Sequence, residues 1–356
     1  MTIILSAIKM KTIKSSGRIV LTLFAFAISV CQLFGEELAF HKTPPVKVIF
    51  DTDIGNDVDD GLALAMLHAL QTRGVCELLA VTITKPDELA GPFVNAINTF
   101  YGRPSIPIGF THAGLVNQPS KFLQLVMAKD GNQFRFPHAL LHSSDAPEAT
   151  QLLRSILSRQ PDNSVVLVQV GFFSNFAALL KTPGDTNSPL TGRELVKKKV
   201  KLLSVMAGAF QTIDNNNHYL EYNVYNDITS AKKLAAEWPT PIVWSGFEVG
   251  YAIKYPARSI EHDYAYALHH PIPESYCLYL PMPYDRPTWD LTATLYAVCP
   301  DYDYFDLSQP GRVTIQNDGF TQFTPLKDGR DRFLIVNDAQ VERVKEALVQ
   351  LASQPP

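Results

Sequence analysis

The sequence predicts an α/β fold: an open, mostly parallel, Rossmann-like sheet with helices on both faces, followed by a small C-terminal β-containing extension. Three observations carry this expectation. Short, nearly continuous apolar runs rich in Val, Ile and Leu alternate with stretches of helical period, the pattern of strand–helix–strand units covered on both sheet faces. The chain has 356 residues, 46% hydrophobic and 19% charged, enough apolar material for a large core. Near its end, Arg312–Val336 reads as a hairpin-like unit ahead of one last helix, Asp338–Ser353.

The elements follow in order. Residues 1–35 carry four bases (Lys9, Lys11, Lys14, Arg18), no acid and the apolar run "IVLTLFAFAISVCQLFG". That combination predicts a secretory signal peptide cleaved after Gly35, hence export, with 36–356 as a single domain. Strands are expected at "VKVIF", "LLAVTIT", "SVVLVQV", "VKLLSVM" and "PIVWSG". Helices are expected between them at Gly61–Gln71, Phe93–Tyr101, Glu148–Leu157, Ser174–Leu180 and Ser230–Glu237. Lys181–Glu194 reads as a loop. His269–Pro287 is too proline-rich for a regular element and is expected to form a lid or wall.

Charge and cysteines exclude several classes. Without the four leader bases the chain has 27 bases against 35 acids, a balance of −8. The only basic run is Lys197–Lys201, so no nucleic-acid partner is expected. Cys76, Cys277 and Cys299 have no CxxC spacing, which argues against a structural zinc site or a disulfide scaffold.

The chemistry concentrates at "VKVIFDTDIGNDVDDGLALAMLHAL", which puts Asp51, Asp53, Asp57, Asp59 and Asp60 within ten residues. Asp51 and Asp53 fall at the carboxyl end of a strand, where open α/β sheets bind ligands. Asp59 or Asp60 opens the next helix, and on the plainest reading Asp59 caps it while the rest face water. A cap needs one aspartate, not five; a hard cation held by carboxylate oxygens would offset the mutual repulsion. An aspartate phosphatase of the haloacid dehalogenase type also places DxD after a strand. It needs Thr or Val where Gly55 stands and leaves Asp59 and Asp60 without a role.

Four motifs in one order resemble the inosine-uridine-preferring nucleoside hydrolases. "DTDIGNDVDDGLAL" is similar to the family's DTDPGxDDxxAL, and "VLVQVGFFSNFAALL" to its strand–turn–helix ending TGPLTNIALAL. "MAGAF…EYNVYND" is similar to MGG…EFNxxxDPEAA, and "WDLTATLYAV" to HDxxAVAY. They span Val46–Val298. The resemblance implies a Ca²⁺ ion held by Asp53, Asp60, the carbonyl of Val170 and Asp290, an oxygen-only set suited to that ion. It implies hydrolysis of an N-glycosidic bond, with Asp53 as the base activating a water. Asp59, Glu221 and Asn223 match positions that hold ribose hydroxyls. Asn215, Asn216 or Asn217 would reach the 5′-hydroxyl, and Asp51 would support the ligands from behind. The resemblance further implies a small-molecule nucleoside substrate and a homo-oligomer, without a membrane partner once the leader is removed.

Three departures bear on the substrate. The first motif is two residues longer than usual, so Asp57 is an additional acid, expected outside the pocket. "AVTITKPDE" lacks the usual GN, and Lys85 near that place would favour a substrate with an acidic group. Trp289 replaces the histidine that often protonates the departing base; it either stacks on a purine or packs the helix start. His218, His269 and His270 remain as loop histidines able to close over a base. Two alternatives follow from these departures: hydrolysis of another N-ribosyl compound, or a calcium-dependent nucleoside- or ribose-binding protein without turnover.

Overall fold

A computed structural model describes residues 44–111 and 118–356; the signal peptide expected over 1–35 lies outside the described residues. The main sheet has ten strands. They are β1 (Val46–Thr52), β2 (Cys76–Ile83), β3 (Ile108–Phe110), β4 (Val165–Gln169), β5 (Val200–Met206), β6 (Ile242–Ser245), β7 (Asp306–Leu307), β8 (Gly311–Ile315), β9 (Thr321–Pro325) and β10 (Asp331–Ile335). The order is β9-β8-β10-β6-β5-β4-β1-β2-β3, with β7 beside β10. From β3 across to β10 every pairing is parallel. β8 and β9 close one edge as an antiparallel hairpin. The C-terminal extension therefore continues the main sheet through the parallel β10–β6 pair.

Alternation along the strands explains why both faces are covered. Val48 and Phe50 of β1, with Val166 and Val168 of β4, enter one core. Ile49, Val165 and Leu167 enter the other. The first core is roofed by α1 (Asp59–Thr72), α2 (Ala90–Phe100), α11 (Trp289–Val298) and α12 (Asp338–Ala352). The second is roofed by α3 (Ala149–Ser158), α4 (Ser174–Leu179), α5 (Gly192–Lys199) and α7 (Ile228–Glu237). Each fully buried Leu, Ile or Phe contributes about 1.5–3 kcal/mol relative to exposure. Pro45–Pro356 form one compact unit. Among the described residues no helix is long and apolar enough to cross a membrane.

The boundaries depart from expectation where capping decides them. α1 begins at Asp59 itself, with Val58 in the cap position, so neither aspartate caps the helix by its side chain. α7 begins two residues early because the Asp227 carboxylate accepts from Ser230 N–H. α5 starts inside the expected loop, on a reciprocal Thr191/Glu194 capping box. The proline-rich segment expected to be irregular contains a helix, α10 (Pro271–Tyr279). Pro271 sits in its first turn, where no backbone N–H is needed, and His270 Nδ1 accepts from Ile272 N–H. Three further short helices complete the chain: α6 (Tyr222–Asn226), α8 (Phe247–Ala252) and α9 (Ala257–His262).

Strand order 3-2-1-4 reverses direction between β1 and β4, and in such sheets the crevice lies beyond the carboxyl ends at that point. Two turns shape it. Gly55 has φ +111°, a conformation that excludes most side chains. Gly171 follows β4 where the two strand ends nearly touch: a Cβ there would lie 2.6 Å from Thr84 Oγ1 and 2.7 Å from the Thr52 carbonyl carbon.

Candidate active site

A cavity of about 480 Å³ opens at the β1/β4 crevice. Eight residues expected in the site from the sequence line it: Asp53, Asp59, Asp60, Val170, Glu221, Asn223, Trp289 and Asp290. β1 and the turn after it supply Asp53, and the first turn of α1 supplies Asp59 and Asp60. The end of β4 supplies Val170, α6 and its cap supply Glu221 and Asn223, and the first turn of α11 supplies Trp289 and Asp290.

The floor is acidic. Carboxylate oxygens of Asp59, Asp60 and Asp290 lie within 4.8 Å of one another, all three buried. Asp59 Oδ2 accepts the backbone N–H of Asp290 at 3.1 Å, and Asp60 Oδ1 accepts from Thr52 Oγ1. Asp53, 5% exposed, lines the same floor and accepts from Asn56 Nδ2 at 2.7 Å. Burial raises all four carboxyls, reinforced by repulsion from neighbouring aspartates, Asp57 among them; Asp53 is pushed up to about 6. None of the four has an ion-pair partner among the described residues. Lys85 is close by, but its Nζ is committed to Asn56 Oδ1 at 2.6 Å and to the Gln118 carbonyl.

This floor fits a hard cation. Its donors are oxygens, and no His or Cys side chain joins them among the described residues. Both helix N-termini aim partial positive charge at the acids, too little to offset four buried charges. Asp51 stands behind, fully buried and outside the cavity. Its Oδ1 accepts from Thr82 Oγ1 at 2.6 Å and Asn175 Nδ2 at 2.8 Å, while its Oδ2 has no hydrogen-bond partner among the described residues. Burial pushes this carboxyl up to about 7.

The wall beside the floor is polar and fixed. Glu221 caps α6 while buried, accepting from the backbone N–H groups of Asn223 at 2.9 Å, Gly208 at 3.0 Å and Val224 at 3.1 Å. Desolvation still raises it to about 7. Asn223 Nδ2 donates to the carbonyl of Val170 at 2.9 Å, tying two sequence-flagged residues together.

Other assignments change. Asn215 and Asn217 do not line the cavity. Asn217 lines a neighbouring cleft with Phe210, Tyr219 and Phe323, and Asn215 occupies a turn at φ +65°. Asp57, expected outside, lines the cavity and forms an ion pair with Arg286. His218 pairs with Asp318, His269 with Glu274, and His270 is buried against Tyr266 with its ring lowered to about 3 by desolvation. Among the described residues no histidine lines the cavity.

The segment His269–Pro287, expected to form a lid or wall, does line the cavity, but four wall residues were not singled out from the sequence. Tyr279 and Arg286 come from the proline-rich segment, Phe247 from α8 and Tyr222 from α6. Trp289 Nε1 donates to the Phe247 carbonyl at 3.0 Å, and its half-buried ring lines the cavity. The signal available for Arg286 was its place three residues ahead of Trp289 in "YDRPTWD".

Similarities to known proteins agree with this geometry. Residues 48–346 match the family model described as inosine-uridine preferring nucleoside hydrolase. Among curated proteins no sequence matches at a significant level. The fold is similar to that of a purine-preferring ribonucleoside hydrolase from Gardnerella vaginalis, with TM-score 0.65, 18% identity and coverage of 86% of this chain and 98% of that one. It is likewise similar to an inosine-uridine preferring nucleoside hydrolase from Bacillus anthracis, with TM-score 0.64, 18% identity and coverage of 86% and 99%. A plant nucleoside hydrolase aligns with TM-score 0.64, 21% identity and coverage of 88% and 100%. With four acids buried at the switch point of this sheet and a family match over most of its length, the chain belongs to the inosine-uridine preferring nucleoside hydrolases, enzymes of N-glycosidic hydrolysis.

Proposed function

We propose that the protein is a calcium-dependent hydrolase of ribonucleosides that releases ribose and the free base. One observation carries the metal dependence: four buried carboxylates share one cavity floor, and none of them has an ion-pair partner among the described residues. Asp53, Asp60, Asp290 and the carbonyl of Val170 would hold the ion, with Asp59 in the same cluster. When bound, the ion supplies the missing positive charge, acidifies a water beside it and draws the ribose diol to the floor.

The chain's own residues do the rest. Asp53, its carboxylate steadied by Asn56, takes the proton from the attacking water. Asp59, Glu221 and Asn223 hold ribose hydroxyls. The acidic surroundings stabilise positive charge as it develops on the sugar ring, which is transition-state rather than ground-state binding. Trp289 and Phe247 offer the base an aromatic surface, with ring centroids 5.3 Å apart. The basic, apolar leader of residues 1–35 supports action after export.

The test is reducing-sugar release from a panel of purine and pyrimidine nucleosides, with calcium, with chelator, and with Asp53→Asn. Calcium-dependent release that the variant lacks supports the reading. Calcium binding without release from any nucleoside would sink it in favour of another ribosyl substrate or of binding alone.

A further inference from the structure

We propose that Arg286 is a catalytic residue for departure of the base. Its guanidinium, clamped on Asp57 between two aromatic rings, donates hydrogen bonds to the base as it leaves with the bonding electron pair. This inference rests on the N-glycosidic hydrolysis proposed above.

The acids that would bind the sugar form the buried floor: Asp60 is 1% and Asp53 5% exposed. Arg286 and Asp57 line the same cavity with side chains 20% and 21% exposed, so they sit toward its open side. A nucleoside with its ribose on the floor extends its base toward that side, where the aromatic residues are.

The guanidinium is held from several directions. Nε donates to Asp57 Oδ1 at 2.9 Å, while Nη2 donates to Asp57 Oδ2 and to Tyr279 Oη at 3.2 Å. The guanidinium carbon lies 5.0 Å from the Tyr279 ring centroid and 5.1 Å from that of Trp289. Nη1, with two N–H groups, has no hydrogen-bond partner among the described residues. A fork fixed in this way suits acceptor atoms on the edge of a heterocycle, and it needs no reorganisation as negative charge appears there. Among the described residues no histidine can take that role in this cavity. The additional acid of the lengthened aspartate motif, Asp57, is the group that fixes the arginine.

The step balances without another reactant. The C1′–N bond breaks and its electron pair goes to the base nitrogen, where Arg286 faces the developing anion. The water oxygen bonds to C1′ and its proton goes to Asp53. The base takes one proton from solvent, giving ribose and neutral base.

The plainer role for Arg286 is to neutralise the acidic floor, and the two roles separate by leaving group. Arg286→Met and Asp57→Asn are compared with the parent on inosine and on 4-nitrophenyl β-ribofuranoside, whose nitrophenolate is stable as an anion. Arg286→Met is expected to lower kcat/KM for inosine about 100-fold or more while the nitrophenyl riboside changes less than about threefold. Asp57→Asn is expected to shift both rates in the same pattern by a smaller factor. Retained nitrophenyl turnover also shows that the variant is folded. Equal losses on both substrates, or none on either, would overturn the proposal. A parent inactive on both substrates would instead overturn the hydrolase reading, and this inference with it.

Discussion

Metal removal should destabilise the protein in a way that depends on pH, and the buried carboxyls give the sign. Burial raises Asp53 from its ordinary 3.8 to about 6, and raises Asp59, Asp60 and Asp290 in the same direction. In that state the folded chain binds these protons more tightly than the unfolded one. Their contribution is fully present below the unfolded pKa near 4 and is lost as pH rises through the folded value. For Asp53 alone, two pH units at about 1.4 kcal/mol each make roughly 3 kcal/mol. The losses at Asp59, Asp60 and Asp290 run in the same direction, against a net domain stability of about 5–15 kcal/mol. A bound cation reverses the slope, because it requires the ligands deprotonated and releases protons on binding. His68 and His270, both lowered to about 3 by burial, add an opposite trend, stability lost as pH falls below 6.5. They do so equally with and without metal. The measurement is thus the difference in Tm between calcium-loaded and chelator-treated protein, from about pH 5 to about pH 8. At 100- to 1,000-fold over Kd, calcium should add about 3–4 kcal/mol near pH 8. That gap should shrink by roughly 1.4 kcal/mol per pH unit for each proton released as pH falls. A gap that stays constant across this range would refute the argument, as would the absence of any gap.

Gly171→Ala should cost more than about 2 kcal/mol and lower calcium affinity, since its Cβ would press on the Thr52–Asp53 backbone and Thr84. Melts with and without calcium check both effects, and a neutral substitution would show that the strand ends separate freely. Trp289→Ala should raise KM for purine nucleosides about tenfold or more, while Trp289→Phe retains most of the binding, at roughly 1–3 kcal/mol per stacked base. Equal KM for parent and Ala variant would assign the indole to packing alone. Arg154 is 2% exposed and reaches Asp185, Thr182 and the carbonyls of Ser188 and Leu190. Arg154→Met should therefore destabilise by about 3 kcal/mol, by denaturant titration, without changing kcat of the folded enzyme.

How far the sequence could be read follows from how local each determinant is. Strands β1, β2, β4, β5 and β6 were legible because their hydrophobic runs are nearly unbroken, as buried parallel strands require. β3, three residues long, carries too little pattern to register. α10 was hidden by its prolines, which mark irregular chain in an interior but fit a first turn; the distinction rests on where the helix starts. The same logic holds within the site. Asp53, Asp59 and Asp60 announce themselves by crowding, and Asp290 by its motif. Asn217 lies on a neighbouring cleft and Asn215 in a left-handed turn, placements set by loop conformation, which residue type alone does not reveal.

Asp57 was misplaced for a reason that bears on the chemistry. Read along the chain, a fifth acid beside four others has nothing to gain from entering the same cavity, and repulsion argues for solvent. What reverses this is Arg286, 229 residues away, a partner that no local pattern could reveal. The pair is net neutral, so it enters a crowded acidic cavity without adding to the charge on the floor. Its two ends then face different demands: the carboxylate is spent on holding, and among the described residues the guanidinium keeps unpaired N–H groups in a cavity that no histidine lines. If the pair served only charge balance, a single neutral residue at each position would do as well, and replacing both together should leave nucleoside turnover intact. The Asp57→Asn, Arg286→Met double variant puts this directly: turnover of inosine near the parent level would reduce the pair to charge bookkeeping. A loss as deep as that of Arg286→Met alone, with 4-nitrophenyl riboside still hydrolysed, would locate the requirement in the fixed arginine.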